Sequence, residues 1–127
     1  AHPEGEIAVA RAASTAKTIM ICSTLSNHPI EEISNATSAS VWFQLYVYKD
    51  RQATLSLIER AEKANCKALV ITVDAPFLGR RERDIKNQFQ LPAHLKICNL
   101  QSLEHSVLPD IKGQSGLAHY FETLIDR

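Results

Sequence analysis

Val41-Trp42-Phe43-Gln44-Leu45-Tyr46-Val47 and, a helix length further on, Lys67-Ala68-Leu69-Val70-Ile71-Thr72-Val73 are the stretches whose reading decides the fold. Both are short, apolar and rich in β-branched or aromatic residues, so each reads as a strand. Between them Asp50 is suited to cap a helix. Leu55, Ile58 and Ala61 would form the apolar stripe of that helix, Glu59 and Lys63 an i,i+4 charge pair, and Asn65 its end. Strand, helix and strand with a crossover of this length describe a right-handed βαβ unit in a parallel sheet.

The same alternation extends upstream. Pro3 suits the first turn of a helix reaching about Ser14, with Glu4 and Glu6 near its positive end. Thr18-Ile19-Met20-Ile21-Cys22 reads as a buried strand ending at Ser23, and polar Ser26, Asn27 and His28 lead through Pro29 to a short helix beginning Ile30-Glu31-Glu32-Ile33. The fold class is therefore α/β, with residues 1–127 in a single domain. The third strand is apolar on both faces, as expected where other elements cover both. From Asp74 to about Gly116 no regular pattern emerges, and so long an irregular stretch reads as a functional loop. Leu117, Phe121, Leu124 and Ile125 then suggest a last amphipathic helix. Three parallel strands alone expose two edges, and a closed eight-stranded barrel takes about 250 residues, so the chain reads as a piece of a larger barrel.

Composition narrows the function classes. With 45% apolar and 22% charged residues the chain is globular, and fourteen basic residues balance fourteen acidic ones, so nucleic acid and anionic membranes are not expected partners. The basic run 80–86 is interleaved with Glu82 and Asp84 and has no aromatic stacking series. Cys22, Cys66 and Cys98 are widely spaced and odd in number, which favours inert thiols in a reducing, intracellular compartment over a metal site or disulfide framework. No apolar run could span a bilayer, and no leader peptide is visible.

The chemistry lies in the polar residues of the strands. Period-two geometry puts Trp42, Gln44 and Tyr46 on one face and Phe43, Leu45 and Val47 on the other, while Thr72 and Asp74 share a face. All stand toward C-terminal strand ends, where barrel active sites are built, and Arg80-Arg81 on the next loop offers a guanidinium that can fork onto a carboxylate. Each residue taken alone has a plainer reading. Tyr46 could be half-buried core, Asp74 a cap, Gln44 and Thr72 each other's partners, Ser23 a strand terminator and Trp42 a packing wall. Arg80 and Arg83 read as a solvated, salt-bridged surface.

Three motifs together carry a resemblance. His2-Pro3-Glu4-Gly5-Glu6, Trp42-Phe43-Gln44-Leu45-Tyr46-Val47-Tyr48-Lys49-Asp50-Arg51 and Val70-Ile71-Thr72-Val73-Asp74-Ala75-Pro76 are followed by Leu78-Gly79-Arg80-Arg81-Glu82-Arg83-Asp84-Ile85-Lys86-Asn87. They resemble the FMN-dependent 2-hydroxy acid oxidases and dehydrogenases, such as glycolate oxidase, lactate oxidase and flavocytochrome b2. The resemblance implies a (β/α)8 TIM barrel, of which this chain would be about strands 2 to 4 with the following long loop.

By that resemblance Ser23, Gln44 and Thr72 hold FMN. Tyr46 is the active-site tyrosine that meets the substrate hydroxyl, Asp74 orients the catalytic histidine, and Arg81 grips the substrate carboxylate. None of the five histidines sits in the family's catalytic motif, so the flavin-facing lysine, that histidine and a second arginine are expected beyond Arg127. No metal is implied. Residues 91–116 resemble the family's mobile active-site loop. Two residues past Ser23, where glycolate oxidases usually carry tryptophan, stands Leu25, as in flavocytochrome b2. The space it leaves favours L-lactate over glycolate as substrate, with oxygen as electron acceptor. A homo-oligomer is expected for the complete protein, peroxisomal in a eukaryote and cytoplasmic in a bacterium. The competing reading is a noncatalytic half-barrel that binds a partner or itself through open strand edges.

Overall fold

The structure, a computed structural model, describes residues 2–74, 79–89, 92, 94–100 and 123–126. Its elements alternate as expected: α1 (Gly5–Thr15), β1 (Met20–Ser23), α2 (Ile30–Asn35), β2 (Val41–Leu45), α3 (Arg51–Lys63), β3 (Ala68–Ile71) and α4 (Glu82–Lys86), then a 3-10 turn at Cys98–Leu100. The strands form one parallel sheet in the order β1-β2-β3. In register, Ile21 faces Trp42 and Ser23 faces Gln44, while Trp42 faces Ala68 and Gln44 faces Val70.

One face of the sheet is the core. Met20, Cys22, Val41, Phe43 and Leu45 are buried against Ala10 and Ala13 of α1, Ile30 and Ile33 of α2, and Ala53, Leu57 and Ala61 of α3. Burial alternates along β2, and the residues between, Trp42 and Gln44, are half-buried on the other face. The outer strands are less covered than the sequence implies. Leu69 and Ile71 of β3 are 39% and 53% exposed, and Ile21 of β1 is 53% exposed. Both faces of β3 are apolar, yet among the described residues little lies over its outer side.

Several element boundaries differ from expectation for physical reasons. Pro3 stands in the turn before α1 rather than in its first turn, because Gly5 takes a φ of +51°. The positive φ favours glycine there, and a Cβ would press to 3.1 Å from His28 Cδ2, which would have to give by a few tenths of an ångström. The buried stripe of α3 is Ala53, Thr54, Leu57 and Ala61, and Leu55 is half exposed. At 100° per residue Leu55 lies some 200° round from Leu57, off the stripe that meets the sheet. Asp50 caps α3 as expected, its Oδ1 accepting from Gln52 N at 2.9 Å and Ala53 N at 3.3 Å.

The described residues after Asp74 include regular structure that the sequence did not imply: α4, and an anchored turn in which Ile97, Asn99 and Leu100 are buried. Ile125 does not extend a helix. It forms an antiparallel bridge with Tyr48, and Lys49 N donates to Leu124 O at 3.0 Å. Leu117 and Phe121 lie outside the described residues. Among the described residues, no helix is long and apolar enough to cross a membrane.

Cap and core should separate in magnitude. Asp50→Ala is expected to cost about 1 kcal/mol, with Asp50→Ser retaining most of the stability. Phe43→Ala, at a fully buried site, should cost about 3–5 kcal/mol. Urea unfolding midpoints at constant m-value would establish the ranking.

Candidate active site

Three polar side chains from three adjacent strands meet on the open face. Gln44 Nε2 donates to Thr72 Oγ1 at 2.8 Å, and Gln44 Oε1 accepts from Ser23 Oγ at 3.4 Å and from Thr24 N at 3.3 Å. The register explains the contact: Ser23 and Gln44 are direct partners, and Thr72 follows two residues after Val70, the β3 partner of Gln44. Thr72 N also donates to Leu45 O at 3.0 Å, carrying the pairing past the end of β3. The plainer reading, that Gln44 and Thr72 satisfy each other, is therefore true as geometry. It does not exhaust the groups present, because one Nε2 hydrogen of Gln44 is unused among the described residues.

Tyr46 is half-buried two residues beyond Gln44, on the same face. Burial, and after it the negative charge of Asp74, push its phenol above the ordinary value, while Arg81 pulls the other way. These two loop residues are thus within electrostatic reach of the tyrosine. Arg81 is exposed and immediately precedes α4, and its neighbour Arg80 lies 3.8 Å from Glu82 on the surface, as a solvated pair should. Leu25 is half-buried; its N–H donates to Ser23 Oγ at 3.1 Å and it packs against the core cluster.

Sequence reasoning missed two members of this neighbourhood. Thr24 is fully buried, and its hydroxyl donates to the Gln44 carbonyl while its amide reaches the Gln44 side chain. Nothing in Ser23-Thr24-Leu25 distinguishes such a residue from an ordinary loop threonine. Asn99, fully buried, reaches the same loop from behind, and no local pattern marks it.

The three cysteines are free. Burial drives the Cys22 thiol up to about 12 and raises Cys66 and Cys98 as well. His28 pairs with Glu32 at 3.2 Å, and His2 Nδ1 accepts from Glu4 N. Among the described residues, no cluster of His, Cys, Asp or Glu could hold a metal.

The row of hydroxyl, carboxamide and hydroxyl can donate and accept at each position, with half-buried Trp42 and Val70 on the same face. Such a row suits the polar edge of an isoalloxazine ring, which presents donors and acceptors side by side over a flat apolar body.

Comparison with known proteins points the same way. Residues 1–125 match the family model described as FMN-dependent dehydrogenase. Glycolate oxidase 3 of Oryza sativa subsp. indica is 51% identical over 127 residues, all of this chain and 34% of that protein. Glycolate oxidase 1 of Zea mays is 48% identical over the same span and share. A crystal structure of mandelate oxidase with (S)-4-hydroxymandelic acid superposes with a TM-score of 0.87 at 40% identity, covering 98% of this chain and 34% of that one. The chain thus spans about a third of the length of these relatives, and its βαβαβ sheet is part of their TIM barrel. With the parallel sheet, its polar row and these likenesses in accord over almost every residue, the chain belongs to the FMN-dependent dehydrogenase family.

Proposed function

We propose that the protein carrying this chain oxidises a small (S)-2-hydroxy acid to the 2-oxo acid with FMN, passing the electrons to oxygen, and prefers L-lactate to glycolate. The observation that carries this reading is the hydrogen-bonded row Ser23, Gln44 and Thr72 at the strand ends, with Tyr46, Asp74 and Arg81 coupled just beyond it. The oxidase names of the relatives support oxygen as acceptor. Their plant origin supports the peroxisomal compartment of the two expected.

Each residue has a distinct task. Ser23, Gln44 and Thr72 would hold the flavin edge, and bound FMN would supply the two-electron acceptor between substrate and oxygen. Arg81 forks onto the substrate carboxylate and fixes which face of the α-carbon is presented. Tyr46, kept protonated by burial and Asp74, donates to the substrate hydroxyl. Asp74 orients the histidine that the family resemblance places beyond these residues, and stabilises its cation when it takes a proton. Leu25 leaves room for a methyl group.

The second reading, a noncatalytic half-barrel that self-associates, draws on the exposed Ile19, Ile21, Ile71 and Val73 along the outer strands. Purified protein showing flavin absorbance, with Gln44→Leu weakening FMN about tenfold for one lost hydrogen bond, is the expected result. A colourless, oligomeric sample that takes up no added FMN would favour the half-barrel instead.

The Tyr46 phenol should titrate above its ordinary value in a tyrosinate difference spectrum against Tyr46→Phe, with Asp74→Asn lowering the midpoint and Arg81→Ala raising it. Because the folded value exceeds the unfolded one, the stability tied to this proton is fully present below about pH 10 and is lost as pH rises through the folded value. Tyr46→Phe should flatten that alkaline loss in pH-dependent unfolding. Substrate choice is read from kcat/KM. Leu25→Trp is expected to shift the lactate-to-glycolate ratio toward glycolate by at least about tenfold, the scale of one methylene in a pocket. Preference for glycolate in both proteins, or an unchanged ratio, would end the lactate assignment.

A further inference from the structure

The loop after β1 carries Ser23 and Leu25, and its own backbone closes through one turn bond, Ser26 N to Ser23 O at 3.2 Å. Asn27 N donates to Glu6 Oε1 at 3.2 Å and Thr24 Oγ1 to Gln44 O, and further contacts come from much later in the chain. Asn99, with no exposed surface, points its Nδ2 at Ser26 Oγ (2.8 Å), Thr24 O (3.3 Å) and Ser23 O (3.4 Å). Its Oδ1 accepts from Ile30 N at 2.9 Å, the first amide of α2. Pro29, at the cap position of that helix, has no side chain able to do so. Arg60 of α3 donates to Asn99 O at 2.6 Å and is itself forked onto Glu31 at 2.7 and 2.8 Å. Cys98 N to Ser26 O (3.1 Å) and Asn27 Nδ2 to Lys96 O (3.0 Å) complete the strap.

A carboxamide of this length suits both sides of the hub. Aspartate would keep the acceptor toward Ile30 and Arg60 but set a negative oxygen against two carbonyls, and an apolar residue would leave buried groups on both sides unpaired. The carbonyls held by Asn99 belong to residues whose other atoms make the functional row: Ser23 Oγ and Thr24 N both meet Gln44 Oε1. Fixing the loop from behind therefore fixes its front.

We infer that Asn99 is a positioning residue for the cofactor-facing row, holding the backbone of Ser23 and Thr24 so that Ser23 and Gln44 stand in register for the flavin. The inference rests on the proposed function for what the row faces, and on the hydrogen bonds alone for what the loop is held by.

The test uses the protein carrying this chain and compares Asn99→Asp with Met20→Ala, a core truncation at the start of β1 on the face opposite the row. FMN affinity is read by flavin fluorescence, loop order by hydrogen exchange over residues 23–28, and stability by urea unfolding. Asn99→Asp should speed exchange in the loop and weaken FMN about tenfold, whereas Met20→Ala, which removes stability by core truncation alone, should leave both within about twofold. Ser26→Ala, which deletes the shortest Nδ2 contact with little change of volume, should do the same to a smaller degree, and stands in if Asn99→Asp does not fold. FMN binding and loop exchange that track stability alike in all variants would overturn the positioning role while leaving the proposed function intact. If even the unaltered protein takes up no FMN, the proposed function falls, and the exchange data alone decide whether Asn99 holds the loop.

Discussion

The parallel register that sets Ile21 beside Trp42 and Ser23 beside Gln44 is the constraint on which the remaining structure depends. It is enforced by burial rather than by polar contacts. Met20, Cys22, Val41, Phe43 and Leu45 fill the space under α1, α2 and α3, and side chains in a strand alternate with a period of two. A one-residue slip of β2 would turn Val41, Phe43 and Leu45 outward and press Gln44 and Tyr46 into an apolar layer. The hydrophobic effect thus selects the pairing, and the pairing brings Ser23, Gln44 and Thr72 within hydrogen-bonding distance as a consequence.

What was legible in the sequence follows from this. The order of strands and helices, the cap at Asp50, and the common face of Gln44, Tyr46 and Thr72 are all set by local period and local chemistry, and the structure has each of them. Leu55 and the 3-10 turn at Cys98–Leu100 were not legible. Which flank of α3 meets the sheet is decided by packing across the domain, so Leu55 is half exposed despite its apolar character. Asn99 is buried because its partners lie around residues 23–30 and at Arg60, and no window along the chain contains both ends of such a contact.

These long-range polar contacts answer a difficulty that a parallel sheet creates. Loops at the C-terminal strand ends must present backbone to a ligand, yet a loop with few contacts of its own is the first part of a domain to open. Satisfying the carbonyls of Ser23 and Thr24 with a distant carboxamide ties the loop after β1 to the buried turn at Cys98–Leu100. The Arg60–Glu31 fork does the same for the carboxamide, since it ties Asn99 to α2 and α3 together.

The loop charges beyond Tyr46 act in opposite senses, and under the proposed function that opposition has a direction. Burial and then Asp74 favour the protonated phenol, and Arg81 opposes them. A substrate carboxylate seated on Arg81 would offset its positive charge at Tyr46, removing an influence that draws the proton off. Binding would therefore make the phenol a weaker acid, so Tyr46 is suited to donating a hydrogen bond to the substrate hydroxyl and unsuited to taking its proton. Under the proposed function the base comes from elsewhere, and Asp74 is proposed to hold that base rather than to replace it.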